Sequence, residues 1–244
     1  SMVNKNIINL LPNLKLVNTS STGFDHIDVA YCKTKNITVT NIPAYGSVTV
    51  AEFTFGLILS LSRKIYNAYH NLREGADFNI SSLQGFDLNG KTIGVIGTGK
   101  IGKNVVKIAK GFGMNVVGYD AFPNEKLAKE LGFQYLPLDE LLAVSDVVTL
   151  HVPFLPETDH LMNKERIMKM KKGAVLINTS RGAVVETAAL VEALKSGHLG
   201  GAGLDVLEEE GVVKDEMDFL VSGKAEGHDW KTIIANHVLI DMPN

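Results

Sequence analysis

Short runs rich in valine, isoleucine and leucine alternate with amphipathic stretches along most of this chain. The runs predict β-strands, and the stretches, whose apolar residues recur every three or four positions, predict α-helices. The predicted strands are Leu14–Ser20, Ile37–Pro43, Thr92–Gly97, Asn115–Asp120, Asp146–Val152, Ala174–Ser180 and Gly201–Val206, and the predicted helices are Ile101–Phe112, Glu125–Leu131, Leu138–Val144, Lys164–Met170 and Glu186–Ser196. Nearly continuous apolar strands are typical of a parallel sheet that is covered on both faces. The alternation therefore predicts an α/β protein with a doubly wound parallel sheet.

One long apolar stretch, Thr49–Lys64, interrupts this alternation. It predicts a helix that begins at a capping box formed by Thr49 and Glu52 and that is buried in the core or against a second subunit. The segment Asn79–Gly90 is polar and contains glycine, so we expect a loop there. The charged tail Gly211–Asn236 has an irregular pattern, with a weak helical signal near its end.

Composition and charge narrow the classes of partner. The 244 residues are 45% hydrophobic and 21% charged, and the formal net charge is −3. Because no block of lysine and arginine stands out, we expect neither nucleic acid nor an anionic membrane surface as a partner. The longest apolar stretch, Phe53–Leu61, is far too short to span a membrane. The single Cys32 excludes an internal disulfide and favours a reducing cytoplasm, and no metal site is expected.

The strongest chemical signal is a G-x-G-x-x-G motif that directly follows a predicted strand and opens a predicted helix. In such a motif Gly97 permits the tight turn, Gly99 lets the backbone approach a pyrophosphate, and Gly102 lets the helix pack close to the sheet. The next strand ends in Asp120, 18 positions after Gly102. A carboxylate there accepts hydrogen bonds from the adenosine ribose and repels a 2′-phosphate. The context therefore predicts a dinucleotide site that prefers NAD to NADP.

Several longer stretches resemble the D-isomer-specific 2-hydroxyacid dehydrogenase family. The glycine run extended to Asp120, the stretch from Leu141 through His151-Val-Pro153 to Asn163, and the stretch Met170–Glu186 resemble the three signatures of that family. Further similar stretches are Ser21–Asp28, Asn41–Tyr45 and Gly203–Glu210. The resemblance implies a Rossmann NAD-binding domain over residues 44–244 and, over residues 1–43, the remnant of a flavodoxin-like substrate domain.

The same resemblance implies two catalytic residues. Arg181 is similar to the family's catalytic arginine, whose guanidinium can hold the carboxylate and the carbonyl oxygen of a 2-oxo acid together; a surface salt bridge is the alternative interpretation. Glu210, 29 positions later, resembles the glutamate that orients a catalytic imidazole and raises its pKa. The adjacent Glu208 and Glu209 are expected to be solvated. Gly211 departs from the family, in which proline often follows this glutamate.

Other roles implied by the resemblance concern binding. Asp205 would contact the nicotinamide carboxamide or its ribose, and Lys100 and Ile101 would offer backbone N–H groups to the pyrophosphate. Residues expected to line the cofactor are Val152, Pro153, Thr158, Thr179 and Ser180. On the substrate side, the backbone amides of Thr22 and Gly23 would hold the carboxylate. Tyr45 resembles a tyrosine of the D-lactate dehydrogenase branch, although it could also be an amphipathic hinge residue.

The family's proton donor is a histidine that follows a proline, and none of the seven histidines of this chain has that context. We therefore expect a polypeptide truncated at both ends, with a complete cofactor domain and slow turnover, since a general acid contributes roughly 10²–10⁴-fold in rate. The expected reaction of the intact protein is reversible reduction of a 2-oxo acid; pyruvate is favoured, and glyoxylate, hydroxypyruvate and branched 2-oxo acids are the other candidate substrates. A non-catalytic NAD-binding module similar to corepressors of this fold and a 3-phosphoglycerate dehydrogenase are the alternatives. The apolar helix in Thr49–Leu61 suggests a homodimer.

Overall fold

A computed structural model describes residues 2–73, 80–209, 230–242 and 244. The chain divides into two compact units, Ser1–Ser47 and Val48–Asn244. The assignment of residues 1–43 to a substrate domain and of 44–244 to a cofactor domain stays a prediction.

The smaller unit is built around one parallel pair of short strands, β1 (Leu16–Asn18) and β2 (Thr38–Thr40). Two short helices that the sequence pattern did not predict, α1 (Lys5–Asn9) and α2 (Val29–Thr34), accompany them. The side chains of Asn4 and Asp28 cap these helices by accepting hydrogen bonds from first-turn amides. Four apolar residues form its core, namely Ile8, Ile27, Cys32 and Ile37.

The larger unit contains a six-stranded sheet in which every strand pair is parallel. Its strands are β3 (Thr92–Ile96), β4 (Asn115–Tyr119), β5 (Gln134–Tyr135), β6 (Val147–Leu150), β7 (Val175–Asn178) and β8 (Gly201–Leu204). The order across the sheet is β5-β4-β3-β6-β7-β8. The doubly wound sheet predicted from the sequence is thereby confirmed. Only β5 was not predicted, because two residues are too few to show a period.

Helices cover both faces of this sheet, as its apolar strands require. They are α5 (Lys100–Gly111), α6 (Glu125–Leu131), α7 (Leu138–Val144), α8 (Lys164–Lys169) and α9 (Thr187–Lys195). Two clusters of buried apolar residues result, one built around Leu141, Leu176 and Leu190 and the other around Val95, Val105 and Ile177. Asparagine caps α6 and α8 through its side chain, so polar residues set where these helices begin.

The long apolar helix α3 runs from Ser47 to Ser62. Thr49 therefore lies inside the first turn, and the predicted capping box of Thr49 and Glu52 is wrong. One face of α3 is buried through Ala51, Phe55 and Ile58, which agrees with the expected burial in the core.

Three further elements belong to this unit. Helix α4 (Ile65–Arg73) was not predicted, and none of its residues is buried. A 3₁₀ turn at Ser81–Leu83 lies in the expected loop, and α10 covers Trp230–Ile240. Among the described residues, none of the helices is long and apolar enough to cross a membrane.

Candidate cofactor and substrate site

The predicted cofactor residues gather where the parallel strands end. On one side of β3 the sheet continues with β4 and β5. On its other side the sheet continues with β6, β7 and β8. Between β3 and β6 the winding direction reverses, and in open α/β sheets ligands bind at the carboxyl ends of the strands beside such a switch point. Segments following β3, β4, β6, β7 and β8 all reach this edge.

The glycine loop after β3 has the geometry that its residues predict. Gly97 has φ +91°, in the region that favours glycine. A β-carbon at Gly102 would lie 2.0 Å from the carbonyl oxygen of Gly97, whereas a β-carbon at Gly99 would meet no atom within 4 Å. Gly102 thus permits the close approach of α5 to the loop, and Gly99 leaves open space in front of it. Lys100 and Ile101 are the first residues of α5, whose N-terminal end carries a partial positive charge.

Asp120 follows β4 and is bonded to the glycine loop. Its Oδ2 accepts hydrogen bonds from the amide (2.7 Å) and the hydroxyl (3.0 Å) of Thr98, and its Oδ1 accepts one from the amide of Phe122 (2.9 Å). The Tyr135 hydroxyl lies 2.7 Å from Thr98 Oγ1. Because a carboxylate has about four acceptor positions, Asp120 can hold the loop through three hydrogen bonds and still accept one from a ribose hydroxyl.

The loop after β6 is braced by one of its own side chains. Thr158 Oγ1 donates to the carbonyl of Pro153 (2.7 Å) and accepts from the amide of Leu155 (2.8 Å). Val152 is half-buried and Pro153 is exposed. A short loop closed in this way has a fixed conformation. It lies at the carboxyl edge of the sheet, where the family resemblance implies that the cofactor binds.

Arg181 stands at the end of β7 in a turn organised by Asn178. The side-chain Oδ1 of Asn178 accepts hydrogen bonds from the amide (3.0 Å) and the hydroxyl (2.8 Å) of Ser180, and its Nδ2 donates to the carbonyl of Arg181 (2.8 Å). Asn178, Thr179 and Ser180 are buried. The Arg181 guanidinium donates to the carbonyl of Ser180 (2.8 Å). The backbone that carries Arg181 is thus fixed, as recognition of a small acid requires.

The acidic segment after β8 departs from one expectation. Asp205 is exposed, and its amide donates to the carbonyl of Asn178 (3.0 Å). Contrary to the expectation from the sequence, Glu208 is not solvated. Its side chain is only 10% exposed and lies 2.6 Å from Nε2 of His160. Glu209 is exposed, as expected. Glu210 lies outside the described residues, so its role stays a prediction.

A chain of polar groups beside this site, in which His151 joins three buried threonines, was not indicated by the sequence. Nε2 of His151 lies 2.9 Å from Oγ1 of Thr149, its Nδ1 lies 3.5 Å from Oγ1 of Thr179, and that oxygen lies 3.2 Å from Oγ1 of Thr54. Loss of solvent around the ring lowers the pKa of His151 to about 3, because its charged form is disfavoured. His151 is therefore neutral near pH 7 and cannot serve as a proton donor there.

The predicted substrate residues lie in the smaller unit. The Thr22 hydroxyl donates to the carbonyl of Ile42 (3.0 Å), Asn41 Nδ2 donates to the carbonyl of Thr22 (2.8 Å), and the Ser21 hydroxyl donates to the carbonyl of Gly23 (2.6 Å). The two bonds of Thr22 join the loops that follow β1 and β2, and the Ser21 bond closes the first of these loops. Tyr45 is exposed. The roles of Thr22, Gly23 and Tyr45 stay predictions.

The strand order and the glycine loop define a Rossmann dinucleotide-binding domain. Residues 55–244 match the family described as D-isomer specific 2-hydroxyacid dehydrogenase, NAD binding domain. The chain belongs to this family and contains its NAD-binding domain.

Similar proteins agree with that family. The 2-hydroxyacid dehydrogenase homolog of Haemophilus influenzae is 47% identical over 197 residues, which are 81% of this chain and 59% of that protein. The D-lactate dehydrogenase of Escherichia coli is 42% identical over 81% of this chain and 59% of its own length. The crystal structure of D-lactate dehydrogenase from Aquifex aeolicus, complexed with NAD and lactic acid, has a TM-score of 0.88 at 42% identity and covers 99% of this chain and 71% of that one. This chain thus spans about 59% of the length of these two curated relatives.

The residues present fit a dinucleotide. The space in front of Gly99 admits a phosphate that a side chain would exclude, and the start of α5 favours a negative charge. The Asp120 carboxylate has acceptor capacity at the end of β4, where a ribose is expected. The pyrophosphate and ribose groups of NAD therefore have matching partners on this chain.

Proposed function

We propose that this protein interconverts a 2-oxo acid and the matching D-2-hydroxy acid with NAD, and that pyruvate and D-lactate are the favoured pair. NAD, when bound, supplies or accepts the hydride. The D-lactate dehydrogenases among the similar proteins support this substrate class. Tyr45, which resembles a tyrosine of that branch, supports the choice of pyruvate, while Thr22 and Gly23 would hold its carboxylate through backbone amides.

The observation that carries the proposal is the position of Arg181 at the carboxyl end of β7, on a turn held by Asn178. A guanidinium offers two parallel N–H groups, so it can bind the carboxylate and polarise the neighbouring carbonyl oxygen of one substrate. Polarisation favours hydride addition because negative charge develops on that oxygen. We assign Arg181 this role and a catalytic part to Glu210.

For the cofactor we propose contacts from each segment at the sheet edge. Gly97, Gly99, Gly102, Lys100 and Ile101 would surround the pyrophosphate, and Asp120 the adenosine ribose, which favours NAD over NADP. Asp205, after β8, would contact the nicotinamide carboxamide or its ribose. The residues that follow β6 and β7 would line the cofactor, namely Val152, Pro153, Thr158, Thr179 and Ser180.

None of the proposed site residues is assigned the role of proton donor. Glu210 would orient an imidazole and raise its pKa, but no histidine of this sequence has the Pro–His context of the family. We therefore propose that the 244-residue polypeptide binds NAD and turns over 2-oxo acids slowly, because a general acid is worth roughly 10²–10⁴-fold.

The test is calorimetric titration with NADH and NADPH, followed by turnover assays with pyruvate, glyoxylate, hydroxypyruvate and 3-phosphohydroxypyruvate. We expect micromolar NADH binding, weaker NADPH binding and slow reduction that is fastest with pyruvate. Arg181→Lys should abolish that reduction and leave NADH binding unchanged, whereas the control Arg63→Lys, in an exposed pair with Asp87, should change neither. Binding without any turnover would favour the non-catalytic module, and ordinary dehydrogenase rates would contradict slow turnover.

We also propose a cytoplasmic homodimer. Cytoplasmic location rests on Cys32, which is free and buried.

Dimerisation rests on α3 and α4, which expose the apolar side chains Phe53, Ile65, Tyr66, Tyr69 and Leu72; such a patch commonly marks an interface. Light scattering should give a dimer mass, and Tyr66→Ser with Tyr69→Ser should reduce it to a monomer. The control Phe122→Ser changes another exposed aromatic residue and should keep the dimer.

A further inference from the structure

Three segments of the larger unit meet beside Arg181. The amide of His160 donates to the carbonyl of Ala183 (2.8 Å), which joins the loop after β6 to the segment after Arg181. The backbone of Leu207 packs so closely on Gly182 that a β-carbon there would lie 2.1 Å from the Leu207 carbonyl. The acidic segment Asp205–Glu209 is therefore in contact with the Arg181 turn through its backbone.

The side chain of Glu208 ties these segments together. Its Oε1 lies 2.6 Å from Nε2 of His160, and its Oε2 accepts hydrogen bonds from the amide (2.8 Å) and the hydroxyl of Thr187. Thr187 is the first residue of α9, where the helix favours a negative charge. Each carboxylate oxygen thus has a partner from a different segment, and hydrogen bonds to charged groups are among the stronger ones in proteins.

The backbone of Glu208 is held as well. Its carbonyl accepts a hydrogen bond of 2.5 Å from Nδ2 of Asn236, a residue of α10 that is fully buried. Glu208 is therefore fixed by its side chain on one side and by its carbonyl on the other. This arrangement restrains the backbone two residues before Glu210.

We propose that Glu208, clamped by His160 and Thr187, is a positioning residue that holds the acidic segment Asp205–Glu209 against the Arg181 turn. This inference rests on the proposed function, in which Asp205 and Arg181 act at one site. We assign Glu208 no catalytic role, since its contacts are with the protein groups of His160 and Thr187.

The clamp depends on pH through His160. Partial burial lowers the pKa of His160, but the hydrogen bond and charge of Glu208 and the charges of Asp159 and Glu186 outweigh it and hold that pKa above its ordinary value. The ordinary value is about 6.5. Because the folded pKa is the higher one, the stabilisation by the ion pair is complete below about pH 6.5 and is lost as the pH rises through the folded pKa.

Amide hydrogen exchange on the full chain tests the clamp without relying on turnover. In Glu208→Gln, the peptide that contains residues 203–209 should exchange about tenfold faster at pH 6, after correction for intrinsic rates, while the peptide of residues 97–111 stays unchanged. The matched control Glu192→Gln removes a carboxylate from an exposed pair with Lys164 and should leave both peptides unchanged. Equal acceleration of both peptides in Glu208→Gln, or of neither, would overturn the proposal.

The histidine supplies a second readout that general destabilisation does not mimic. Wild-type protection of residues 203–209 should fall between pH 6 and pH 9, and His160→Gln, which cannot titrate, should show protection that does not change with pH. A wild-type protein without this pH dependence would overturn the role of His160. If NADH binds but no 2-oxo acid is turned over, the proposed function fails while the exchange result still decides the clamp.

Discussion

The α-carbon of Gly182 lies directly against the backbone of Leu207. A β-carbon built on Gly182 would be 2.1 Å from both the carbonyl carbon and the carbonyl oxygen of Leu207. Backbone atoms cannot move aside as the end of a flexible side chain can, so Gly182→Ala must displace one of the two segments. We expect this substitution to lower the free energy of unfolding by about 1–3 kcal/mol, measured by urea denaturation.

The control is Gly111→Ala at the end of α5, where a β-carbon would meet no atom within 4 Å. It should leave stability unchanged or raise it by about 0.5–1 kcal/mol, because alanine loses less conformational entropy than glycine in a helix. If Gly182→Ala lowers the free energy of unfolding no more than Gly111→Ala does, the close packing beside Arg181 does not contribute to stability.

Gly102→Ala should damage the cofactor loop. Its β-carbon would lie 2.0 Å from the carbonyl oxygen of Gly97, so α5 and the loop would have to separate. We expect NADH affinity to fall at least tenfold, about 1.4 kcal/mol, in a calorimetric titration. Gly111→Ala on the same helix should bind NADH as the wild type does, and unchanged binding by Gly102→Ala would contradict the assignment of the loop.

Asp120→Asn should relax the choice between NADH and NADPH. The substitution removes the negative charge that repels a 2′-phosphate and keeps the shape of the side chain beside Thr98. We expect the ratio of the two dissociation constants to shift towards NADPH by about tenfold, or about 1.4 kcal/mol. Asp139→Asn, which changes an exposed residue of α7 paired with Lys169, serves as the charge control and should leave the ratio unchanged.

His151 should remain neutral between about pH 4 and pH 7, a range over which an exposed histidine gains a proton. Its folded pKa of about 3 lies below the value of about 6.5 in an unfolded chain, so the unfolded state binds more protons between those values. Stability should therefore fall as the pH drops below about 6.5, with this group contributing about 1.4 kcal/mol per pH unit. NMR of the imidazole checks this directly, and titration near pH 6.5 would contradict the burial of the ring.

Local pattern determined most of the cofactor domain. The strands around Val95 and Leu176, the helix after Gly99 and the position of Asp120 could all be predicted from the sequence. Apolar periodicity reports which face is buried, and a glycine motif between a strand and a helix reports the turn that the backbone must make. The family signatures added the roles expected of Arg181 and Glu210, which no local physical pattern provides.

Tertiary structure alone decided the contacts between distant positions. The pair of His160 and Glu208 joins residues 48 positions apart, and the contact of Thr54 with Thr179 joins residues 125 positions apart. The sequence predicted a solvated Glu208, because the pattern of an acidic run does not indicate which residue one of its glutamates will pair with. The lowered pKa of His151 could not be predicted from the sequence either. Desolvation depends on which segments pack around the ring and not on its neighbours along the chain.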